Sequence, residues 1–223
     1  EYTPSDYVPV SKKDIDKMFG ELKDKIKSVK NPFLSKLLTA IFIDDFEFQT
    51  TFKASSAAKT VHHGFLGGLL EHTLGVVKLC EYFCDNYSSL NHDLLITAAI
   101  FHDIGKTREL SAFPSNDYTD EGQLVGHIVI GVEILKAHID KIPGFPKKLS
   151  NELIHCILAH HGELEYGSPK KPALIEALAL NLADNADAKM ETFIELLAQG
   201  QEGATGWLGY NKLLESNYRK TSV

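Results

Sequence analysis

In FHDIGKTREL, Phe101–Leu110, an imidazole and a carboxylate stand side by side at the end of an apolar run, followed by a glycine and a lysine. Neutral imidazole is a borderline donor suited to Mn, Fe, Co, Ni or Zn, and an aspartate has two oxygens that can bridge two cations. Successive helical residues point about 100° apart, so His102 and Asp103 converge most easily where a helix ends. Ile104-Gly105 reads as such an end. Two ligands make a weak site, and two further candidates stand elsewhere: His72 among leucines and valines in LLEHTLGVV, and Asp184 among alanines and leucines in ALALNLADNADA. Each alone reads as a satisfied polar group of the core. Taken together with His102 and Asp103, they suit a shared cation, which removes the cost of burying a carboxylate.

Helices must bring these residues together. Ile15, Met18, Phe19, Leu22, Ile26 and Val29 recur at helical spacing behind Ser11 and Asp14, which resemble a capping box. Asn31-Pro32 reads as the cap and first turn of a second helix carrying Phe33, Leu34, Leu37, Leu38, Ile41 and Phe42. Helical patterns continue over Phe65–Tyr87, Asp93–Ile104, Gly126–Asp140, Pro146–His160 and Pro172–Ala198, with a last short one near Tyr210–Tyr218. No stretch alternates convincingly with period two. Thr107–Gln123, holding Pro114, Asn116, Asp117, Asp120 and Gly122, reads as a loop near the site. The expectation is an all-α bundle with one core: residues 1–60 as a leader and helices packing on it, 61–200 as the site-bearing domain, and 201–223 as a C-terminal helix.

Composition narrows the class. At 43% hydrophobic and 24% charged, the 223 residues are those of a globular protein, and no apolar run approaches the ~18 residues of a membrane span. The N-terminus lacks the basic and apolar regions of a secretory signal, and Cys80, Cys84 and Cys156 form no CxxC pair; reduced thiols in a cytoplasmic protein are expected. A net charge of -7 argues against a basic coat for nucleic acid, while leaving room for a local basic pocket.

The order His72, His102-Asp103, Asp184 resembles the HD superfamily of metal-dependent phosphohydrolases. The resemblance implies a helical HD-domain bundle in which these four residues hold a first divalent metal. For a second metal it implies His127 in VGHIVIG and His160-His161 in LAHHGELE, with Asp103 bridging. A more detailed likeness is to the HD domain of YhaM-type 3'-5' exoribonucleases, through AAKTVHHGFLGGLLEHT, FHDIGKTREL, YTDEGQLVGHI and HHGELEYGSPKKPALIEALALNLADNADAK. In that family an oligonucleotide-binding OB domain usually precedes the HD domain, and this sequence has no strand-rich OB segment. The HD-GYP phosphodiesterases share HDIGK but carry a GYP triplet where this chain reads HHGELEYGSPKK, so cyclic di-GMP ranks low as a substrate.

These implications make Asp103 the catalytic centre, with two divalent ions activating water for in-line attack on phosphorus. Mn2+ is favoured, with Fe, Co, Ni and Zn allowed. Lys106 is assigned to a phosphate oxygen, Arg108 to bidentate phosphate contact, His62 and His63 to substrate, and His161 either to the second metal or to substrate. His92, His138 and His155 read as structural or exposed. The expected partner is RNA, an oligonucleotide or a nucleotide, with no membrane and with a homo-oligomer allowed. Two alternatives are a phosphohydrolase of mononucleotides or other small esters, and a non-catalytic nucleic-acid or protein-binding module with a structural metal.

Overall fold

The computed structural model describes residues 8–59, 63–200 and 206–222. Helix α1 (Ile15–Ser28) is capped by Asp14, whose carboxylate accepts the backbone N–H of Lys17 at 2.9 Å. Ser11 plays no part in that cap. Its hydroxyl donates instead to Glu71 at 2.6 Å, because the aspartate already reaches the third amide of the helix. Asn31 caps α2 (Pro32–Phe42), accepting from Phe33 and Leu34, with Pro32 in the first turn where its missing N–H leaves no bond unmade. Asp45 caps α3 (Phe46–Ala54) in the same way.

The chain continues through α4 (Gly68–Asn86), α5 (His92–Phe101), α6 (Lys106–Glu109), α7 (Asp120–Leu124), α8 (His127–Ile139), α9 (Lys147–Ala159) and α10 (Ile175–Gln199). Every residue of α5 from Leu94 to Phe101 is buried, which makes it the central helix of the bundle. α4, α9 and α10 pack directly on it, and α8 closes over α9. Phe42 of α2 packs against Phe101 at 5.6 Å between ring centroids and edge-on against Phe52 of α3 at 5.1 Å. Leu22, Leu38, Leu70, Ile96, Ile157 and Leu180 belong to one continuous apolar cluster, so the first three helices share the core of the rest.

The segment expected as a loop over Thr107–Gln123 is helical at both ends, in α6 and α7, and irregular between. Its tip is stapled. Asn116, buried at a positive φ of 43°, donates to the carbonyls of Ala58 and Lys59 at 3.1 Å, and Lys59 pairs with Asp117 at 2.7 Å.

The C-terminal helix expected over Tyr210–Tyr218 is absent. An antiparallel hairpin takes its place, β1 (Trp207–Asn211) paired with β2 (Ser216–Arg219). The Asn211 side chain accepts from Leu213 and Leu214, and Glu215 lies at φ 51°; an asparagine-centred turn and a left-handed residue both oppose a helix. Tyr218 packs edge-on against Phe193 of α10 at 6.1 Å, while Trp207 is 45% exposed under the Arg219 guanidinium. Among the described residues, no helix is long and apolar enough to cross a membrane.

Candidate metal centre

Two histidines of the site stand just past a helix end. His102 and His160 are the C-caps of α5 and α9, and each donates Nδ1–H to the carbonyl three residues back, Ala99 at 2.8 Å and Ile157 at 2.6 Å. The last turn of a helix leaves carbonyls without partners; this bond satisfies one of them and turns Nε2, with its lone pair, into the bundle. His72 on α4 and His127 at the start of α8 use carboxylates for the same purpose. His72 Nδ1 lies 2.7 Å from Asp187 Oδ2, and His127 Nδ1 lies 3.0 Å from Glu109 Oε1. In all four rings the acceptor opposite Nδ1 assigns the tautomer in which Nε2 is the ligand atom.

The Nε2 atoms fall into two groups around Asp103. In the first, His72 Nε2 is 3.1 Å from His102 Nε2, 3.1 Å from Asp184 Oδ1 and 3.5 Å from Asp103 Oδ2. His102 Nε2 is 3.5 Å from Asp103 Oδ2 and 3.8 Å from Asp184 Oδ1. Donors about 2.0–2.2 Å from one ion stand about 3–3.5 Å from one another, which is close to this spacing. In the second group Asp103 Oδ1 faces His127 Nε2 at 3.4 Å and His160 Nε2 at 3.7 Å. These three buried atoms have no hydrogen-bond partner among the described residues. All three are acceptors, each costing about 1–3 kcal/mol when left unmatched, and a cation between them resolves all three at once. His161 adds a ring nitrogen within 4.8 Å of those of His127 and His160, its own Nδ1 donating to the Tyr166 carbonyl at 3.0 Å.

The electrostatics call for positive charge. Burial opposes a charge on His72, but hydrogen bonds to Asp184 and Asp187 outweigh it and raise the ring to about 9, so without an ion a proton sits between the carboxylates. Burial holds His102 low and drives His160 down to about 3, which keeps both neutral and ready to coordinate. Burial also works against the charge of Asp103 and Asp184; the Lys106 ammonium overcomes it at Asp103 and the His72 hydrogen bond at Asp184, and both carboxyls end well below their usual range. The residues therefore fit divalent cations on tautomer, spacing and charge.

A close helix corner makes the convergence possible. Gly105 separates α5 from α6, and a Cβ there would lie 2.0 Å from the His127 carbonyl oxygen. Only glycine lets the start of α8, and His127 with it, come against Asp103.

The HD domain profile matches residues 69–189 of the 223, and this span contains every donor of both groups. The chain belongs to the HD domain family. Curated relatives named 3'-5' exoribonuclease YhaM include that of Bacillus subtilis, 36% identical over 192 residues, 84% of this chain and 59% of the relative. That of a Geobacillus species is 37% identical over 202 residues, 89% and 60%, and that of Halalkalibacterium halodurans 35% over 199 residues, 89% and 61%. The chain thus spans about six tenths of the length of these relatives. No solved structure gives a significant match.

Around this HD centre the remaining candidates sit as follows. Lys106 Nζ is 2.8 Å from Asp103 Oδ2, and although burial disfavours its charge, Asp103 outweighs that and raises its pKa. Arg108 does not face the centre: its guanidinium grips Glu121 with two nitrogens on the surface, so a phosphate would have to displace a carboxylate. His63, assigned above to substrate, is only 2% exposed, and its Nε2 is 3.3 Å from Asp187 Oδ2; it backs His72 and borders the cavity beside Asp187. His62 lies outside the described residues. His92, His138 and His155 lie away from the centre, bonded to Asp93, the Ile134 carbonyl and the Ala173 N–H.

Two residues of the centre escaped sequence reasoning, Asp187 and Glu109, the carboxylates behind His72 and His127. Asp187 stands three residues after Asp184, one turn along the same face of α10. Hydrogen bonds to His63 and His72 outweigh burial and hold its carboxyl at about 2.

Proposed function

We propose that this HD domain is a metal-dependent phosphodiesterase that removes 5'-nucleotides from the 3' end of RNA or oligonucleotides. The observation carrying the proposal is the Asp103 carboxylate, one oxygen of which belongs to each donor group. The names of the relatives support the choice of RNA and of the 3' end. Three thiols without a disulfide, Cys80 and Cys156 buried, fit a cytoplasmic setting.

In this reading His72, His102, Asp184 and Asp103 would hold one ion, and His127, His160, His161 and Asp103 would hold another. Divalent ions bound there, Mn2+ first among the candidates, supply Lewis acidity that lowers the pKa of a water and neutralises phosphate charge. Asp103 fixes the two donor groups at one separation. The outer bonds of His72 and His127 to Asp187 and Glu109 hold the rings in register and raise their basicity. Lys106, balanced against Asp103, is positioned to pair with a phosphate oxygen as a point charge.

Incubation with a 5'-labelled oligoribonucleotide and Mn2+ is expected to shorten the label stepwise and release 5'-mononucleotides. A label left intact with Mn, Co, Fe and Ni alike would defeat the proposal.

A further inference from the structure

Beside Lys106 opens a cleft of about 320 Å³, between the last turn of α3 and the segment that follows α6. Its size is at the lower end of small-molecule sites. Thr51, Ser55, Thr107 and Ser111 line it with hydroxyls, and their bonding is already partly fixed. Thr51 donates to the Glu47 carbonyl at 3.1 Å, Ser55 to Thr51 at 2.8 Å and Thr107 to Ile104 at 2.7 Å. With those hydrogens committed, what the three oxygens still offer is lone pairs. Leu66, Leu110 and Phe113 supply apolar surface.

Charge separates this cleft from the other cavities. Among the described residues no carboxylate lines it and its one cation is Lys106, whose Nζ is 2.8 Å from Asp103 Oδ2 and so joins the cleft to the candidate metal centre. The cavity beside Asp187, by contrast, sets Glu21, Glu71, Asp187 and Glu191 against Lys13 and Lys78, which already pair with Glu71 and Glu21. In a chain of net charge -7, the cleft at Lys106 is the opening that tolerates an anion. Its occupant should carry an anionic group at the Lys106 end, a flat apolar body, and donors for the hydroxyl oxygens.

We infer that this cleft seats the 3'-terminal nucleoside of the strand, with the phosphate at Lys106, the sugar hydroxyls donating to the serine and threonine oxygens, and the base on Phe113. The inference rests on the phosphodiesterase reading above and names where its leaving nucleotide sits. The wall is rigid before any ligand arrives, because Asn116 staples the segment after α6 to the carbonyls of Ala58 and Lys59.

Titration calorimetry of the metal-loaded protein with adenosine 5'-monophosphate and with inorganic phosphate tests the assignment. The nucleotide is expected to bind at least about tenfold tighter than phosphate, the difference that stacking and sugar contacts provide. Ala54→Trp and Ala112→Trp, at two exposed rim positions, are expected to remove that advantage by filling the cleft. Equal affinity of the two ligands for the wild-type protein overturns the inference, and so does an advantage that persists in either variant with a wild-type melting temperature. Turnover of bis(p-nitrophenyl) phosphate with Mn2+ reads the parent proposal alone. If that turnover is absent while the nucleotide advantage and its loss are as expected, the cleft stands as a nucleotide seat and the phosphodiesterase reading falls.

Discussion

The two donor groups that share Asp103 meet the need for a cation by different means. Around His72 two imidazoles face Asp184 and one oxygen of Asp103, both carboxyls held ionised, and a proton on His72 can stand in for an ion. Around His127 and His160 the donors are imidazoles and a single carboxylate oxygen, and no group among the described residues supplies a proton to the three unmatched atoms. Fixed negative charge distinguishes the first group, open lone pairs the second. The first should bind its ion tightly at all times, and the second should bind more weakly and exchange, since Coulomb attraction in a buried site outweighs neutral ligation.

The largest effect is expected where the groups meet. Asp103→Ala unlinks both and should lower turnover by at least about a hundredfold, with elemental analysis showing loss of metal from both. Next come variants that separate them. Asp184→Asn should lose the tightly held ion, whereas His127→Ala should keep it and lose only the exchangeable one; equal metal content in the two variants would break the distinction. Smaller again is Asp187→Asn, which leaves every ligand in place and should weaken metal affinity by about 10-fold or more, read by calorimetry. Gly75→Ala should reproduce that loss, because the added methyl would lie 2.0 Å from Asp187 Oδ1.

The smallest effect belongs away from both groups. Asp93 accepts the backbone N–H groups of Lys30 and Asn31 at 2.9 and 2.6 Å; burial raises its pKa, but bonds from His92 and these amides outweigh that and leave it lowered. A depressed carboxyl stabilises the fold above its unfolded pKa and ceases to do so as pH falls through the folded one. Asp93→Asn should therefore cost about 1–2 kcal/mol near neutrality, a gap in melting temperature that narrows below about pH 4, with metal content unchanged.

How much of this was legible depended on contrast. His72, His102, Asp103 and Asp184 stood out because polar groups on apolar helix faces need a reason, and the helices themselves followed from apolar spacing and from caps such as Asn31. His127, His160 and His161 came from family resemblance, since nothing in their local pattern pairs them with Asp103 across the fold. Asp187 and Glu109 lie among polar neighbours, in ADNADAK and KTRE, where a carboxylate reads as solvated. The available signal for Asp187 was Gly75, one turn after His72, a gap that only a facing side chain would require. The C-terminal hairpin was hidden because an irregular register between Trp207 and Tyr210 breaks the alternation a strand would show.

His102 and His160 are tied to the carbonyls of their own final turns. Each ring's rotamer is therefore selected when α5 and α9 form, and capturing an ion asks for no later search among side-chain orientations. Ions should accordingly enter a preorganised receptor, with little ordering entropy left to lose at those two positions when they arrive.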